Sequence, residues 1–461
     1  MADGLTAALD KMRADGASDV AIETFRHYYE RLASGETGTI GEDEIEPVGD
    51  LPAAEDLPDP GEAGLEALHK AVMIRLNGGL GTSMGMTGPK SLVEAKDGLT
   101  FLDIIVRQVL GVRERHGVRL PLVLMNSFRT REPSLKALER YPELDVGLPL
   151  DFVQGRVPKI RADDLAPVEW PADPELEWTP PGHGDIYTSL MTSGMLGRLL
   201  DRGFEYALMA NSDNLGAVLD PRVLAWFARE ELPFAMEVLR RSPADRKGGH
   251  IARRSGGGLV LRESAQVRDE DQDAFQDVER HRYFNTNNLW VNLRTLREVL
   301  GVRDWVLGLP MIVNRKTVDP SDSSSPAVFQ LETAMGAAID VFEGAAALLV
   351  GRPRFAPVKT TNDLLVLRSD AYELDEEYAV ELAAARRGEP PFVDLDPDNY
   401  KLLPDFDLRF ENGAPSLVAC DRLTVRGDVG FGRDVIVRGD VTIEHPGDGR
   451  LVIEDGTVLS G

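Results

Sequence analysis

Hydrophobic positions recur at two spacings along the chain. Between residues 1 and 34, Leu5, Leu9 and Met12, then Ile22, Phe25, Tyr28, Tyr29 and Leu32, fall at helical intervals. From Gly35 to Gly61 the pattern stops. The stretch GETGTIGEDEIEPVGDLPAAEDLPDPG is acidic and rich in proline and glycine, which predicts a linker or surface wrap. Short apolar runs then alternate with helix-spaced stripes. Strands are expected at Ala71 to Leu76, Leu120 to Met125, Tyr206 to Asn211, Ala235 to Arg240, Leu259 to Leu261 and Leu289 to Leu293. Phe101, Leu102, Ile104, Ile105, Val109 and Leu110 mark a helix, and further helices fit Pro133 to Arg140 and Gln330 to Phe342. Strands alternating with helices predict an α/β fold with a mostly parallel sheet covered on both faces.

The last segment changes character. VRGDV occurs at Val425 to Val429 and again at Val437 to Val441, and apolar positions recur near multiples of six. Apolar pairs separated by Gly-Asp corners predict a short left-handed parallel β-helix; a β-meander with Gly/Asp turns is the alternative. These shifts divide the chain into a helical region with an acidic linker (1–65), an α/β domain (66–365) and a C-terminal domain (366–461).

Composition narrows the possibilities. A formal charge of −26, from 77 acidic and 51 basic residues, argues against nucleic acid as a partner. No apolar run approaches the length of a membrane span and the N-terminus lacks a signal-peptide core, so a cytoplasmic protein is expected. Cys420 is the only cysteine, which excludes an intrachain disulfide and a cysteine zinc site.

The chemistry concentrates after two expected strands. LNGGLGTSMGMTGPKSL, Leu76 to Leu92, places five glycines before Lys90. Glycine lets backbone N–H groups approach phosphate without a Cβ in the way. The loop is not a P-loop, because Pro89 replaces the glycine before the lysine, and Gly85 lies one position too late for a dinucleotide fingerprint. Asp213, after Tyr206 to Asn211, is a hard oxygen ligand suited to Mg²⁺, or a helix cap. PPGHGDIY frames His183 with glycines, FNTNNLW gives three asparagines whose amides suit sugar hydroxyls or a turn, and PVKTTNDLL carries Lys359.

Taken with LVLMNSF, NSDNLGA, ADRKGG and QLETAMGAAI in the same order, these motifs make the chain resemble the eukaryotic-type UTP–glucose-1-phosphate uridylyltransferase family. The resemblance implies a Rossmann-like nucleotidyltransferase fold, UTP and glucose 1-phosphate as substrates, and Mg²⁺. It implies nucleotide contacts at Leu76, Asn77, Gly78, Gly79, Lys90, Gln154, Gly182, Asn211, Asp213 and Lys359. The sugar phosphate would meet Gly78, Gly79, His183, Asn211, Glu237, Lys247, Asn285, Thr286 and Asn287, with Asp213 on the metal and Lys359 and Lys90 catalytic. The implied reaction is in-line attack of the sugar phosphate on the α-phosphorus of UTP, releasing pyrophosphate. Rival readings are a broader UDP-sugar pyrophosphorylase and a non-catalytic sugar-nucleotide sensor. Family members usually continue past the point matching Gly461 with a portion that supports assembly, so self-association is not carried over.

Overall fold

The structure, a computed structural model, describes residues 2–242, 245–246, 248–386 and 388–461. Its centre is a ten-stranded sheet: β1 (Ile45–Pro47), β2 (Ala71–Asn77), β3 (Leu122–Asn126), β4 (Asp151–Val153), β5 (Tyr206–Asn211), β6 (Phe234–Arg240), β7 (His250–Arg254), β8 (Leu259–Arg262), β9 (Tyr283–Asn292) and β10 (Ala346–Leu349). The path runs β1-β7-β9-β5-β2-β3-β4; β6 joins β9 and β10, and β8 joins β7. The stretch β5-β2-β3-β4 is parallel throughout and supplies the Rossmann-like part. Beyond it, β9 pairs antiparallel with β5, β6 and β7.

Alternation along the parallel strands explains the two-sided burial. Met73, Leu122, Leu124 and Leu208 enter one apolar core with the helix Phe101–His116. Val72, Ile74, Val123, Met125, Ala207 and Met209 enter the other, with the helices Ile186–Thr192, Met195–Asp201 and Leu293–Val302. Side chains alternate across a strand, so a strand covered on both faces reads as a continuous apolar run. The first core continues into the C-terminal segment through Leu417, Cys420, Leu423, Val425, Phe431 and Val437. Cys420 is buried there as a free thiol.

The N-terminal helices are α1 (Ala2–Ala14) and α2 (Asp19–Ala33), broken at Gly16, whose φ is +82°. Phe25, Tyr28 and Tyr29 pack on Val157, Ile160, Met311 and Leu331. Part of the acidic stretch becomes edge strand β1, while Glu42 pairs with Arg262, Arg280 and His281. Two expected helices differ. The one placed at Pro133 begins at Phe128, because Ser127 caps it and Pro133 is accommodated inside. Gln330 to Phe342 is instead a strand, Ala327–Thr333, then a 3₁₀ turn, Met335–Asp340. The strand is claimed by antiparallel pairing with Met311–Thr317. Gly336 lies so close to Asn285 and Leu261 that a Cβ would stand 2.8 Å from each.

In the C-terminal segment the strands Phe392–Leu395, Ser416–Arg426, Ile436–Glu444 and Val458–Ser460 stack in parallel, as do Val429–Phe431 and Leu451–Ile453. The two VRGDV copies do not pair with each other: Leu423 lies beside Val441 and Val425 beside Ile443.

A bulge in the β6–β9 pairing falls between Met236 and Val238. There the Glu237 carboxylate accepts from Trp290 Nε1 (2.9 Å), Asn288 Nδ2 (2.9 Å) and the Arg354 guanidinium, both sides of the ion pair being almost inaccessible. Removing one member of a buried pair leaves the other charge unpaired. Glu237→Ala is therefore expected to lose about 3–5 kcal/mol of stability in urea unfolding; a loss below about 1 kcal/mol would place the pair among the weak ones.

Candidate nucleotide and sugar-phosphate site

β2 and β5 are neighbours in parallel register, Leu76 beside Asn211. The loops that follow them therefore leave the same edge of the sheet side by side, the usual ligand position in an open α/β sheet. Between them and the segments at Gln154 and Gly182 lies a cavity of about 330 Å³. Leu76, Asn77, Gly78, Gly79, Lys90, Gln154, Gly182, His183, Asn211 and Asp213 all line it, so most residues singled out from the sequence meet at one place.

The glycine loop earns its spacing locally. Gly81 and Gly85 have φ of +61° and +72° and bracket a 3₁₀ turn, Thr82–Met84, which accounts for the extra residue before Gly85. A Cβ on Gly78 would stand 2.8 Å from Gln154 Oε1, so glycine lets the Gln154 amide lie against the loop. Pro89 starts only a short 3₁₀ turn, Lys90–Leu92, and the next long helix begins at Phe101. An anion here is not met by a long helix's N-terminus, and side chains must supply the charge.

That charge is a pair. Lys90 Nζ donates to Asp213 Oδ2 at 2.7 Å, joining the two loops, and both side chains keep some access to the cavity. The Asp213 loop is held from behind by Arg75, fully buried, which donates to the carbonyls of Asn211, Asn214 and Ala217 at 3.1, 3.1 and 2.6 Å. Burial pushes the Arg75 guanidinium down to about 9, with the Arg354 charge acting in the same direction. Nothing in the sequence pattern marks Arg75 beyond a charge inside an apolar strand.

His183 is fixed in one tautomer. Its Nδ1 accepts from the Met335 N–H at 3.0 Å, and burial holds the ring down at about 4. At neutral pH the proton is therefore on Nε2, a neutral donor. Gly182, at φ +80°, passes so close to Thr333 that a Cβ would stand 2.4 Å from its carbonyl oxygen. Asp185, three residues on, ties this loop to the Gln154 segment: its carboxylate accepts from Gly155 N–H and Ser189 Oγ, each at 2.6 Å, and burial pushes that carboxyl up to about 6.

Other expected residues reach the cavity only by their backbone or stand apart from it. The Asn77 amide turns into the protein, donating to Asn126 Oδ1 and Ser134 Oγ at 2.8 Å each, so only its backbone can serve a ligand. Glu237 has its carboxylate taken up as described. Asn285 Nδ2 donates to Asn287 Oδ1 at 2.8 Å, and Thr286 Oγ1 to the Glu237 carbonyl at 2.7 Å. Asn287 holds φ +59°. Lys359 is exposed, but Val358 N–H donates to the Asp213 carbonyl at 3.2 Å, so its backbone runs beside the metal-candidate loop. Lys247 lies outside the described residues.

Met125, Pro180, Ser91, Ser212 and Glu332 also line the cavity without having been singled out. The hydroxyls of Ser91 and Ser212 are buried with no hydrogen-bond partner among the described residues. Their position beside Lys90 and Asp213 was the available signal. No cluster of three or more metal-ligating side chains occurs among the described residues. Asp213 offers the carboxylate, with Oδ1 free of hydrogen bonds among the described residues.

Two outcomes follow from this geometry. Gly182→Ala is expected to cost about 1–3 kcal/mol of stability from its backbone alone, measured by thermal unfolding; an unchanged midpoint would contradict the close approach to Thr333. The His183 ring should titrate near 4 in the free protein, followed by NMR. Because the unfolded ring takes a proton near the ordinary 6.5, this group's contribution to stability falls as pH drops from 6.5 toward 4. A midpoint at 6.5 would overturn the fixed tautomer.

Known proteins match along nearly the whole chain. The family model described as UTP--glucose-1-phosphate uridylyltransferase matches residues 22–438. A relative from Hordeum vulgare with that name is 40% identical, covering 99% of this chain and 95% of its own, and one from Solanum tuberosum is 42% identical over 87% and 82%. A mutant UDP-glucose pyrophosphorylase from Leishmania major, crystallised in complex with UDP-glucose, superposes with a TM-score of 0.93 at 44% identity, covering 99% of this chain and 98% of its own. A UDP-glucose phosphorylase from Trypanosoma brucei gives 0.91 at 46% identity, with coverage of 99% and 98%. With a cavity that gathers the glycine loop, Lys90, His183 and Asp213, the chain belongs to the UTP--glucose-1-phosphate uridylyltransferase family.

Proposed function

We propose that the chain transfers the uridylyl group of UTP to glucose 1-phosphate, giving UDP-glucose and pyrophosphate. The observation that carries this is the meeting of Lys90 and Asp213 across two adjacent loops at the edge of one cavity, with Gly78 and Gly79 beside them. Gln154 and the Gly182 backbone supply the base end, and Met125 an apolar wall. His183 Nε2 donates to the sugar phosphate, and its neutrality leaves the anion's charge to Lys90 and Lys359. The Asn285–Asn287 segment serves the glucose hydroxyls, which requires those amides to exchange their mutual bond for the sugar.

A phosphate oxygen of glucose 1-phosphate forms a bond to the α-phosphorus of UTP as the α–β phosphoanhydride oxygen leaves with pyrophosphate. The attacking oxygen is already an anion, so no side chain has to remove a proton. The barrier is the approach of two polyanions and the charge on the transferring phosphoryl group, which fixed cations and alignment lower. Asp213 is the residue suited to hold Mg²⁺, which would take its other ligands from phosphates and water and would neutralise phosphate charge. Lys90, on the wall of the same cavity, supplies positive charge to the phosphates. Lys359 adds a second cation from the segment that runs beside the Asp213 loop.

On the same footing, the three segments 1–65, 66–365 and 366–461 act as N-terminal wrap, catalytic domain and C-terminal domain. We read the parallel C-terminal stack as a short left-handed β-helix, a reading supported by successive strands that pair in parallel and by the 18-residue offset (441 − 423) of Leu423 and Val441, while the offset at Ile436 and Val458 is 22 residues (458 − 436). A cytoplasmic location accords with a sugar-nucleotide substrate, and no helix among the described residues is long and apolar enough to cross a membrane.

The test supplies UTP and Mg²⁺ with and without each sugar 1-phosphate and follows pyrophosphate. Release is expected only with a sugar 1-phosphate, and fastest with glucose 1-phosphate. Release that ignores the sugar phosphate would overturn the transferase reading, and binding without turnover would favour a sensor. Lys359→Ala is expected to lower kcat by about 10²–10³ while the fold persists. Wild-type turnover in that variant would remove Lys359 from the reaction.

A further inference from the structure

Two carboxylates line the cavity among the described residues, Asp213 and Glu332. Asp213 has Lys90; Glu332 has no ion pair with any described residue. Glu332 lies in the strand Ala327–Thr333, where alternation buries Leu331 against α2 and turns Glu332 to the opposite face. Its Cβ stands 3.0 Å from where a Cβ on Gly182 would be, so it flanks the backbone assigned to the base. Three residues later, the Met335 N–H fixes His183. Glu332 therefore stands on the cavity wall beside Gly182, at the base end, and Gly182 is the residue next to His183, at the phosphate end.

Burial pushes the Glu332 carboxyl up, opposed by a hydrogen bond with Asn314 and the charge of Lys316. A carboxylate in this position repels phosphate, so its use lies in a different part of the ligand. In a nucleoside triphosphate the group between base and α-phosphate is the ribose, whose vicinal hydroxyls are donors that one carboxylate can accept together. We infer that Glu332 reads the ribose by accepting from its 2′ and 3′ hydroxyls, and so sets the preference for a ribonucleotide over a deoxyribonucleotide. This deepens the uridylyltransferase reading and rests on it for the direction in which the nucleotide lies.

The test compares UTP with 2′-deoxy-UTP and 3′-deoxy-UTP, by kcat/KM in pyrophosphate release and by calorimetric binding, for the wild type, Glu332→Gln and Glu332→Ala. A half-buried carboxylate left without its hydroxyl partner discriminates, so the wild type should prefer UTP by about 10–100-fold. Glu332→Ala should bring that ratio to within about threefold of unity, and Glu332→Gln, still an acceptor, should fall between. The preference for UTP over CTP and the KM for glucose 1-phosphate should stay at wild-type values in both variants, which separates ribose reading from a general loss of structure. Full ribose discrimination retained in Glu332→Ala would overturn the inference. So would a change confined to the KM for glucose 1-phosphate, which would place the carboxylate on the sugar. A wild type that binds UTP over its deoxy analogues yet turns nothing over would overturn the reaction and leave the ribose contact standing.

Discussion

The parallel register of β2 and β5 is the constraint on which the site depends. Because Leu76 lies beside Asn211, the glycine loop and the Ser212-Asp213-Asn214 loop leave the sheet as neighbours, and Lys90 can reach Asp213. A slip of one residue would invert which side chains enter each core and separate the two loops. Val72, Met73 and Ile74 and, beside them, Ala207, Leu208 and Met209 are packed on both faces, so that slip would have to repack two close-packed cores at once. The packing that stabilises the sheet and the geometry that serves the chemistry are one and the same.

Charge is handled locally in a chain that carries −26. A binding site for two polyanions in such a molecule needs its cations held in place before the ligands arrive. Lys90 is held by Asp213, and Arg75 fixes the Asp213 loop through three backbone carbonyls without presenting its own charge to the cavity. Arg354, its neighbour in the interior, is compensated by Glu237. Neutral donors complete the set: the Nε2–H of His183, and the amides of Gln154 and Asn211, which make no side-chain hydrogen bond among the described residues.

What could be read in advance follows the range of the interactions. Strand cores and the glycine loop are legible because their signals, apolar runs and positive-φ positions, are local. Asn77 was legible as a lining residue but not as a side chain turned inward toward Asn126 and Ser134, which depends on a partner 49 residues away. Gln330 to Phe342 carries apolar residues at spacings compatible with a helix, yet the pairing with Met311–Thr317 and the close packing at Gly336 make it a strand and a tight turn. Glu237 shows the same limit: its position near the sugar-binding strand is local information, while its saturation by Arg354, Asn288 and Trp290 is tertiary. Residues that act from behind, such as Arg75 and Asp185, carry no pattern that a single sequence displays.

In the proposed reaction Asp213, whose Oδ2 accepts from Lys90, is the carboxylate that would hold Mg²⁺ beside the nucleotide phosphates. UTP affinity measured by calorimetry with and without Mg²⁺, in the wild type and in Asp213→Asn, tests it most directly. The account requires Mg²⁺ to tighten UTP binding in the wild type by about tenfold or more, and the carboxamide variant to lose most of that gain. Equal tightening by Mg²⁺ in both proteins would contradict it.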